Sequence, residues 1–116
     1  MTQSTVQGPA LLILTALADA PRHGYGLIQE IAALSDGSVR MRTGTLYGAL
    51  DRLQQQGLIR PEREEVVDGR ARRFYALTEE GREALAAEAA RLRTVVAEAE
   101  RRLSVGRRPR LQGGAA

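Results

Sequence analysis

Residues 42–59 read RTGTLYGALDRLQQQGLI. Leu46, Leu50 and Leu53 recur at helical spacing, so they make one apolar face of a helix. Gly57 is typical of the residue that follows a helix end. We therefore predict a helix that ends just before this glycine and turns its opposite, polar face to solvent.

The residues that follow this helix predict a β-hairpin. Two β-prone runs, residues 58–67 and residues 70–78, are separated by Asp68-Gly69. Asp-Gly favours a tight turn between antiparallel strands, because such a turn needs positive φ at both of its central residues.

Two shorter helices are predicted before residue 42. The first begins at Pro9 and continues through an apolar run to Ala18, and its hydrophobic residues surround the helix axis, so both of its sides need to be covered. The second follows a predicted turn at residues 23–26, HGYG, and carries apolar residues at helical spacing as far as Leu34. Three helices followed by a hairpin are typical of a winged helix-turn-helix, in which the hairpin is the wing.

A long helix is predicted after the hairpin, with Thr78 as its cap. Its apolar residues are spaced alternately by four and three positions and form a heptad seam, namely Leu85, Ala89, Leu92, Val96, Ala99 and Leu103. A helix with one narrow apolar seam needs a second long helix, so we expect a homodimer. Leu12, on the first helix, is assigned to the same dimer interface, and the alternative is that the long helix folds back on its own domain.

The predicted fold class is α+β: mainly α, with a β-hairpin wing and a long C-terminal dimerisation helix. We divide the chain into a disordered N-terminus (1–8), a winged helix-turn-helix (9–78), the dimerisation helix (79–103) and a disordered basic tail (104–116). The tail has three arginines and no acidic residue, so its charge alone equals the net charge of the chain, +3. Global charge is therefore a weak argument for DNA binding, and local clusters must carry it.

The composition excludes several kinds of chemistry. Among 116 residues there is no cysteine and one histidine, which excludes disulfides, thiolate metal sites and multi-histidine metal centres. No serine has a base placed beside it, and no glycine-rich loop has the phosphate-binding pattern. We expect no enzymatic activity, no metal and no cofactor.

The longest mostly apolar stretch, residues 9–18, is about half of the roughly 20 residues that a membrane span needs. The first seven residues, MTQSTVQ, lack the positive charge of a secretory signal. We therefore expect a soluble, cytoplasmic protein.

The third helix is the candidate for reading DNA, because one helix fits the major groove, which is about 12 Å wide. Its start and its polar face carry the candidate DNA-binding residues Arg42, Thr43, Thr45, Tyr47, Gly48 and Arg52. Each has an alternative role. The threonines can cap the helix or bind phosphate, and these two roles are compatible because a helix N-terminus is itself an anion site. Tyr47 contacts DNA or packs on the second helix, and Gly48 allows close approach or is merely tolerated. Arg52 reaches the duplex or pairs with an acid such as Glu62.

Three wing arginines, Arg70, Arg72 and Arg73, beside the turn favour contact with phosphate or the minor groove, although charged residues also protect exposed strand edges. The opposite strand carries acids that can orient these arginines by cross-strand pairing, namely Glu62, Glu64 and Glu65. Tyr25, before the second helix, is a further candidate for phosphate contact, with a packed turn as the alternative. Every basic residue is arginine, whose planar fork suits phosphate and guanine, although a GC-rich coding sequence gives the same bias.

The sequence resembles the PadR family of bacterial transcriptional regulators over about residues 8–103. The resemblance rests on HGYG, on the pattern G-T-L-Y-x-x-L-x-R-L-x-x-x-G-L-I, and on G-R-x-R-R-F-Y-x-L-T-x-x-G. In one departure, the family often begins its third helix with Ser-Pro, where this chain has Arg42-Thr43.

This resemblance implies a dimeric repressor that binds a roughly palindromic operator, controls a nearby efflux or detoxification gene, and is relieved by a small-molecule effector. The single C-terminal helix is similar to the smaller subgroup of the family, whose ligands can enter between the long helices. On that basis the candidate effector-binding residues are Leu92, Val95, Val96 and Ala99. The alternative function is a winged helix that binds only other proteins.

Overall fold

The computed structural model of the chain describes Val6 and residues 8–107, and within this part four helices and three strands follow one another. They are α1 (Pro9–Leu17), β1 (Arg22–His23), α2 (Gly24–Leu34), α3 (Thr43–Gln55), β2 (Ile59–Val67), β3 (Arg70–Leu77) and α4 (Glu79–Gly106). The strands form one antiparallel sheet in the order β1-β3-β2. The predicted α+β winged-helix fold is confirmed.

The chain divides into two compact units, and the division falls within α4, between Ala86 and Ala87. We predicted the boundary at Thr78, the end of the hairpin. The difference has a local cause, because Ala84 and Leu85 on the first turns of α4 still pack against the core of the first unit.

The core of the first unit is built from the apolar faces of α1, α2 and α3 and from the base of the sheet. Its largest fully buried side chains are Ile13, Leu14, Leu17, Leu27, Ile31, Leu46, Leu50 and Ile59. The leucine face predicted for the third helix is therefore the face that the core covers.

Val6 and Leu12 lie at the margin of this core, although each had a different predicted role. Val6 is buried in the core, although we predicted disorder for residues 1–8; residues 1–5 and 7 lie outside the described residues. Leu12, assigned to the dimer interface, is half-buried against the same core, and its role in a dimer stays a prediction. Leu34, at the end of α2, is 45% exposed.

The start of α2 differs from the predicted turn. Gly24 is already its first helical residue, and the two residues before it form β1, which pairs with β3 through Arg22↔Tyr75 and His23↔Phe74. The His23 ring caps the helix, since the Gly26 N–H donates to His23 Nδ1 at 3.2 Å. Histidine is not one of the residues usually preferred as a helix N-cap, so this cap was not predicted from the sequence.

The hairpin has the predicted turn and one irregularity. Asp68 and Gly69 have φ values of 53° and 77°, as a tight turn with two positive φ values requires. Within β2 a bulge separates Pro61, opposite Tyr75, from Arg63, opposite Phe74. One extra residue in β2 therefore changes the strand's alternation near the base of the wing.

The start of α4 is tied to the end of α3 by Thr78. Its hydroxyl accepts a hydrogen bond from the Gly81 N–H at 2.9 Å, which confirms the predicted cap, and donates one to the Gly57 carbonyl at 2.7 Å. A Cβ atom on Gly81 would lie 2.0 Å from the Leu58 carbonyl oxygen, so only glycine fits here.

The end of α4 lies at Gly106, three residues beyond the predicted end at Leu103. Helical bonding continues past Leu103, since the Arg107 N–H donates to the Leu103 carbonyl at 3.1 Å. The predicted disordered tail therefore begins with helical residues, and its residues 108–116 lie outside the described part.

Within the second unit, the α4 seam is largely exposed. Val96 and Leu103 are 52% and 68% exposed, Ala89 and Ala99 are exposed, and Leu92 is half-buried. An apolar seam in contact with water is unfavourable over this length.

Two ion-pair clusters support α4. Glu88 pairs with Arg91, and Glu98 pairs with both Arg101 and Arg102. The hydrogen bond from Arg91 lowers the pKa of Glu88, and those from Arg101 and Arg102 lower the pKa of Glu98. Each carboxylate is thus held in its charged form by a cation on the next turn.

Candidate nucleic-acid interface

The exposed face of α3 carries the residues predicted for it. Thr45, Tyr47 and Arg52 are exposed, and Gly48 is half-buried. A Cβ atom on Gly48 would have Arg52 Nη1 as its nearest neighbour, at 3.8 Å, so the surface over this glycine is open.

The first turn of α3 has no side-chain cap. Arg42 occupies the N-cap position with an extended backbone, and no acidic residue lies in the first turn. Thr43 and Thr45 are both exposed, and neither caps the helix. Of the two roles predicted for the threonines, capping is wrong, and the backbone N–H groups of this turn keep their affinity for an anion.

Arg52 and Glu62 do not pair as one alternative predicted. Glu62 Oε2 lies 3.5 Å from Nη1 of Arg63, its neighbour on β2. Arg52 has no ion pair with any described residue. Arg52 is therefore an exposed cation on the outer face of α3.

Tyr47 packs on the second helix, which is one of its two predicted roles, and its contact with DNA stays a prediction. Its phenol lies directly against Gly24 at the start of α2, yet 45% of the residue remains exposed. Packing on the second helix therefore leaves the tyrosine accessible to a ligand.

Arg72 connects the wing to the start of α2. Its guanidinium carbon lies 6.0 Å from the centre of the Tyr25 ring, and Tyr25 is 54% exposed. Arg72 Nε is buried and has no hydrogen-bond partner among the described residues. Tyr25, which we predicted as a phosphate contact or a packed turn residue, is thus an exposed helical residue beside a wing arginine.

A second contact of the wing, with His23 of β1, was not predicted from the sequence. The Phe74 ring is buried, with the His23 ring edge-on at 5.1 Å and the Arg63 guanidinium carbon 4.3 Å from its centre. A pair of this kind contributes about 0.5–1.5 kcal/mol beyond area burial. Strand alternation places Phe74 on the same face as Arg72, but it does not identify His23 as the partner.

The charges of the wing are mixed. Arg73 Nε lies 3.9 Å from a Glu64 carboxylate oxygen, as predicted for cross-strand pairing. Arg63 pairs with Glu65 on its own strand. Arg70 and Arg72 have no ion pair with a described residue, so they are the wing cations left for a ligand.

The interface thus brings together side chains from three elements. Tyr47 of α3 contacts Gly24 of α2, and the next residue, Tyr25, contacts Arg72 of β3. Within the described residues no cluster of three potential metal ligands occurs. No helix of residues 8–107 is both long and apolar enough to cross a membrane.

Comparison with known proteins identifies the family. Residues 13–87, more than half of the chain, match the Transcriptional regulator PadR-like family. The chain belongs to the PadR family. The matched region contains every candidate DNA-binding residue, from Tyr25 to Arg73, whereas most of the predicted dimer seam, from Ala89 onward, lies beyond it.

A curated relative of this chain is named a transcriptional regulator. Transcriptional regulator Rv3488 of Mycobacterium tuberculosis is 49% identical over 75 residues, which cover 65% of this chain and 66% of the relative. The chain covers between 21% and 66% of the curated relatives that it matches.

Two solved structures share the PadR fold. A PadR family transcription regulator from Clostridium difficile has a TM-score of 0.68 at 24% identity, covering 80% of this chain and 95% of that one. Bacillus subtilis PadR in complex with operator DNA has a TM-score of 0.56 at 21% identity, covering 65% of this chain and 42% of that one. At these identities the likeness shows the fold alone.

Proposed function

We propose that this chain is a sequence-specific DNA-binding transcriptional regulator. The observation that carries the proposal is the pair of contacts that connects α3, through the start of α2, to the wing. Tyr47 contacts the start of α2, and Arg72 lies over Tyr25. A reading helix and a wing that are connected in this way can bind a major groove and the neighbouring backbone together.

The chemistry of α3 and the wing suits DNA. The first turn of α3 has uncapped N–H groups and no acid, which favours a phosphate at that end. Arg42, Arg52, Arg70 and Arg72 have no ion pair with a described residue, so no internal carboxylate competes with the polyanion for them. Bacillus subtilis PadR, which shares this fold, was solved in complex with operator DNA, and this supports DNA binding by analogy of fold.

We propose further that the regulator is a homodimer joined through the α4 seam. Val96 and Leu103 on this seam are half-exposed or more, and a second copy is the simplest partner that would cover them. Two copies of α3 would then bind successive major grooves, which requires a roughly palindromic operator.

Repression and its relief are proposed from the family resemblance. We expect the dimer to repress a nearby gene of the efflux or detoxification kind, and we expect a small molecule to weaken the binding of the dimer to DNA. The site proposed for this effector is the α4 segment with Leu92, Val95, Val96 and Ala99, where Val95 is 50% exposed. The chain has no tryptophan on which a flat aromatic ligand could stack.

The experiment that tests DNA binding uses the purified full chain and a duplex that it enriches from a random-sequence pool. Fluorescence anisotropy at several salt concentrations gives the slope of log K against log salt. We expect a steep negative slope, since each phosphate contact contributes about −0.9. A chain that enriches no duplex, or binds without salt dependence, would favour the alternative of a winged helix that binds only other proteins.

A further inference from the structure

Gly24, the first residue of α2, is buried beneath the phenol of Tyr47. A Cβ atom added to this glycine would lie 2.2 Å from Tyr47 Oη and 2.8 Å from Tyr47 Cζ, and its three nearest neighbours all belong to the tyrosine. Contacts under 3.0 Å essentially never occur for real Cβ atoms. Any side chain at residue 24 would therefore displace the phenol.

Backbone conformation does not explain this glycine. Gly57 and Gly69 have φ values of 78° and 77°, which favour glycine, but Gly24 is not among the residues with positive φ. It occupies a helical position, where alanine has the higher helix propensity. The need for glycine therefore comes from the neighbouring tyrosine.

Tyr47 is held by this contact without being covered. Its side chain lies on the DNA-reading helix, remains 45% exposed, and its hydroxyl has no hydrogen bond with a described residue. A phenol whose hydroxyl end rests on Gly24 and whose remaining surface is open can contact a ligand with little conformational freedom left to lose.

We propose that Gly24 is a positioning residue for Tyr47: the absent side chain at the start of α2 makes room for the hydroxyl end of the phenol, and this fixes the tyrosine on the exposed face of α3 that we propose binds DNA. The inference rests on the proposed DNA-binding function. It gives Gly24, the first glycine of the HGYG stretch, a role in DNA affinity that it exerts through Tyr47 of α3.

The test compares Gly24→Ala, Tyr47→Ala and the double variant with the wild-type chain. The matched control is Gly26→Ala in the same helix turn, where a Cβ atom would meet His23 Cε1 at an ordinary 3.5 Å. The probe is the duplex enriched by the wild-type chain. Anisotropy gives the affinity, and thermal unfolding without DNA gives the melting temperature.

Gly24→Ala and Tyr47→Ala should each weaken binding about tenfold, because each removes the positioned phenol from the face of α3 that we propose binds DNA. The double variant should bind no more weakly than Tyr47→Ala, and Gly26→Ala should bind like the wild type. In the Tyr47→Ala background, Gly24→Ala should raise the melting temperature, because the clash is gone and alanine favours the helix.

Additive losses in the double variant, or wild-type affinity of Gly24→Ala, would overturn the proposal. If Gly24→Ala does not fold, the double variant decides, since folding restored by Tyr47→Ala supports the proposal and continued unfolding refutes it. If the wild-type chain binds no duplex, the proposed function fails. The melting temperatures still decide in that case whether Gly24 positions Tyr47.

Discussion

Gly48 is the residue at which DNA binding and stability can be separated most cleanly. Its surroundings are open, with Arg52 Nη1 at 3.8 Å from a Cβ position as the nearest atom. Gly48→Glu should therefore fold, and the better helix propensity should add up to about 1 kcal/mol of stability. It should nevertheless abolish binding to the enriched duplex in an anisotropy titration, because a carboxylate would face the polyanion.

The control for this variant is Gly48→Gln, which has almost the same shape without the charge, and it should lose less affinity than Gly48→Glu. The melting temperature of both variants should be no lower than that of the wild type. Binding of folded Gly48→Glu within a factor of about 3 of the wild type, a difference of ~0.65 kcal/mol, would show that α3 does not enter the groove on this face.

For single residues, the sequence predicted which side chains are exposed better than it predicted which residues they contact. Helical arithmetic put Leu46 on the core side of α3 and Tyr47 on its flank, and the structure agrees. Packing of Tyr47 on the second helix was one of its two predicted roles, but Gly24 could not be predicted as its partner, because the two residues lie on different helices. Helical periodicity gives the direction of a side chain and does not identify what lies beside it.

The wing is the element we expect to bind backbone more than bases. Changing Arg72 and Arg73 together to Ala should weaken binding to the enriched duplex and to an unrelated duplex alike, and reduce the salt slope by about 1 to 2 units. The matched control removes the same charge from α4, by changing Arg101 and Arg102 to Ala, and should leave the slope unchanged. A loss confined to the enriched duplex would mean that the wing reads bases.

The ion pairs of α4 predict how its stability depends on pH. Hydrogen bonds from arginines lower the pKa of Glu98 and of Glu88 in the folded helix. The unfolded chain therefore binds protons more readily, so this stabilisation is present above the ordinary glutamate pKa of about 4.3 and is lost as pH falls through the lowered values. Thermal unfolding followed by circular dichroism across this acidic range measures the loss.

Two variants isolate the contribution of one carboxylate. Glu98→Gln should reduce the fall in melting temperature on acidification, because the titrating group is gone. Glu100→Gln, at an exposed position on the same helix, should leave the fall unchanged. Identical pH profiles for Glu98→Gln and the wild type would contradict the role assigned to this cluster.

The elements that sequence reasoning found are those with a local signal. The wing turn at Asp68 and the cap at Thr78 were predicted because each depends on neighbours a few residues away. β1 has two residues and no alternation to reveal it, and its existence depends on β3, far along the chain. The bulge after Pro61 likewise depends on how two strands align, which single-strand periodicity does not contain.

At the scale of the whole molecule, the exposed α4 seam predicts an obligate dimer. Replacing Leu92 and Val96 together with Asp would bury charges in an apolar interface, at a cost of several kcal/mol, so sedimentation should show monomer or unfolded chain. Thr94→Asp, on the opposite side of the helix by its period, should leave the dimer intact. A stable wild-type monomer at micromolar concentration would contradict this prediction.

The pairing of β1 with β3 also sets an order of events in folding. His23 and Phe74 are neighbours in the sheet but distant along the chain, whereas the hairpin and each helix close over a few residues. Closing the longer loop costs more entropy, so we expect local elements to form first and this strand pair to close late. The contact of Arg72 with Tyr25 belongs to the same late step. A partly folded chain would therefore contain α3 before the wing packs against the start of α2.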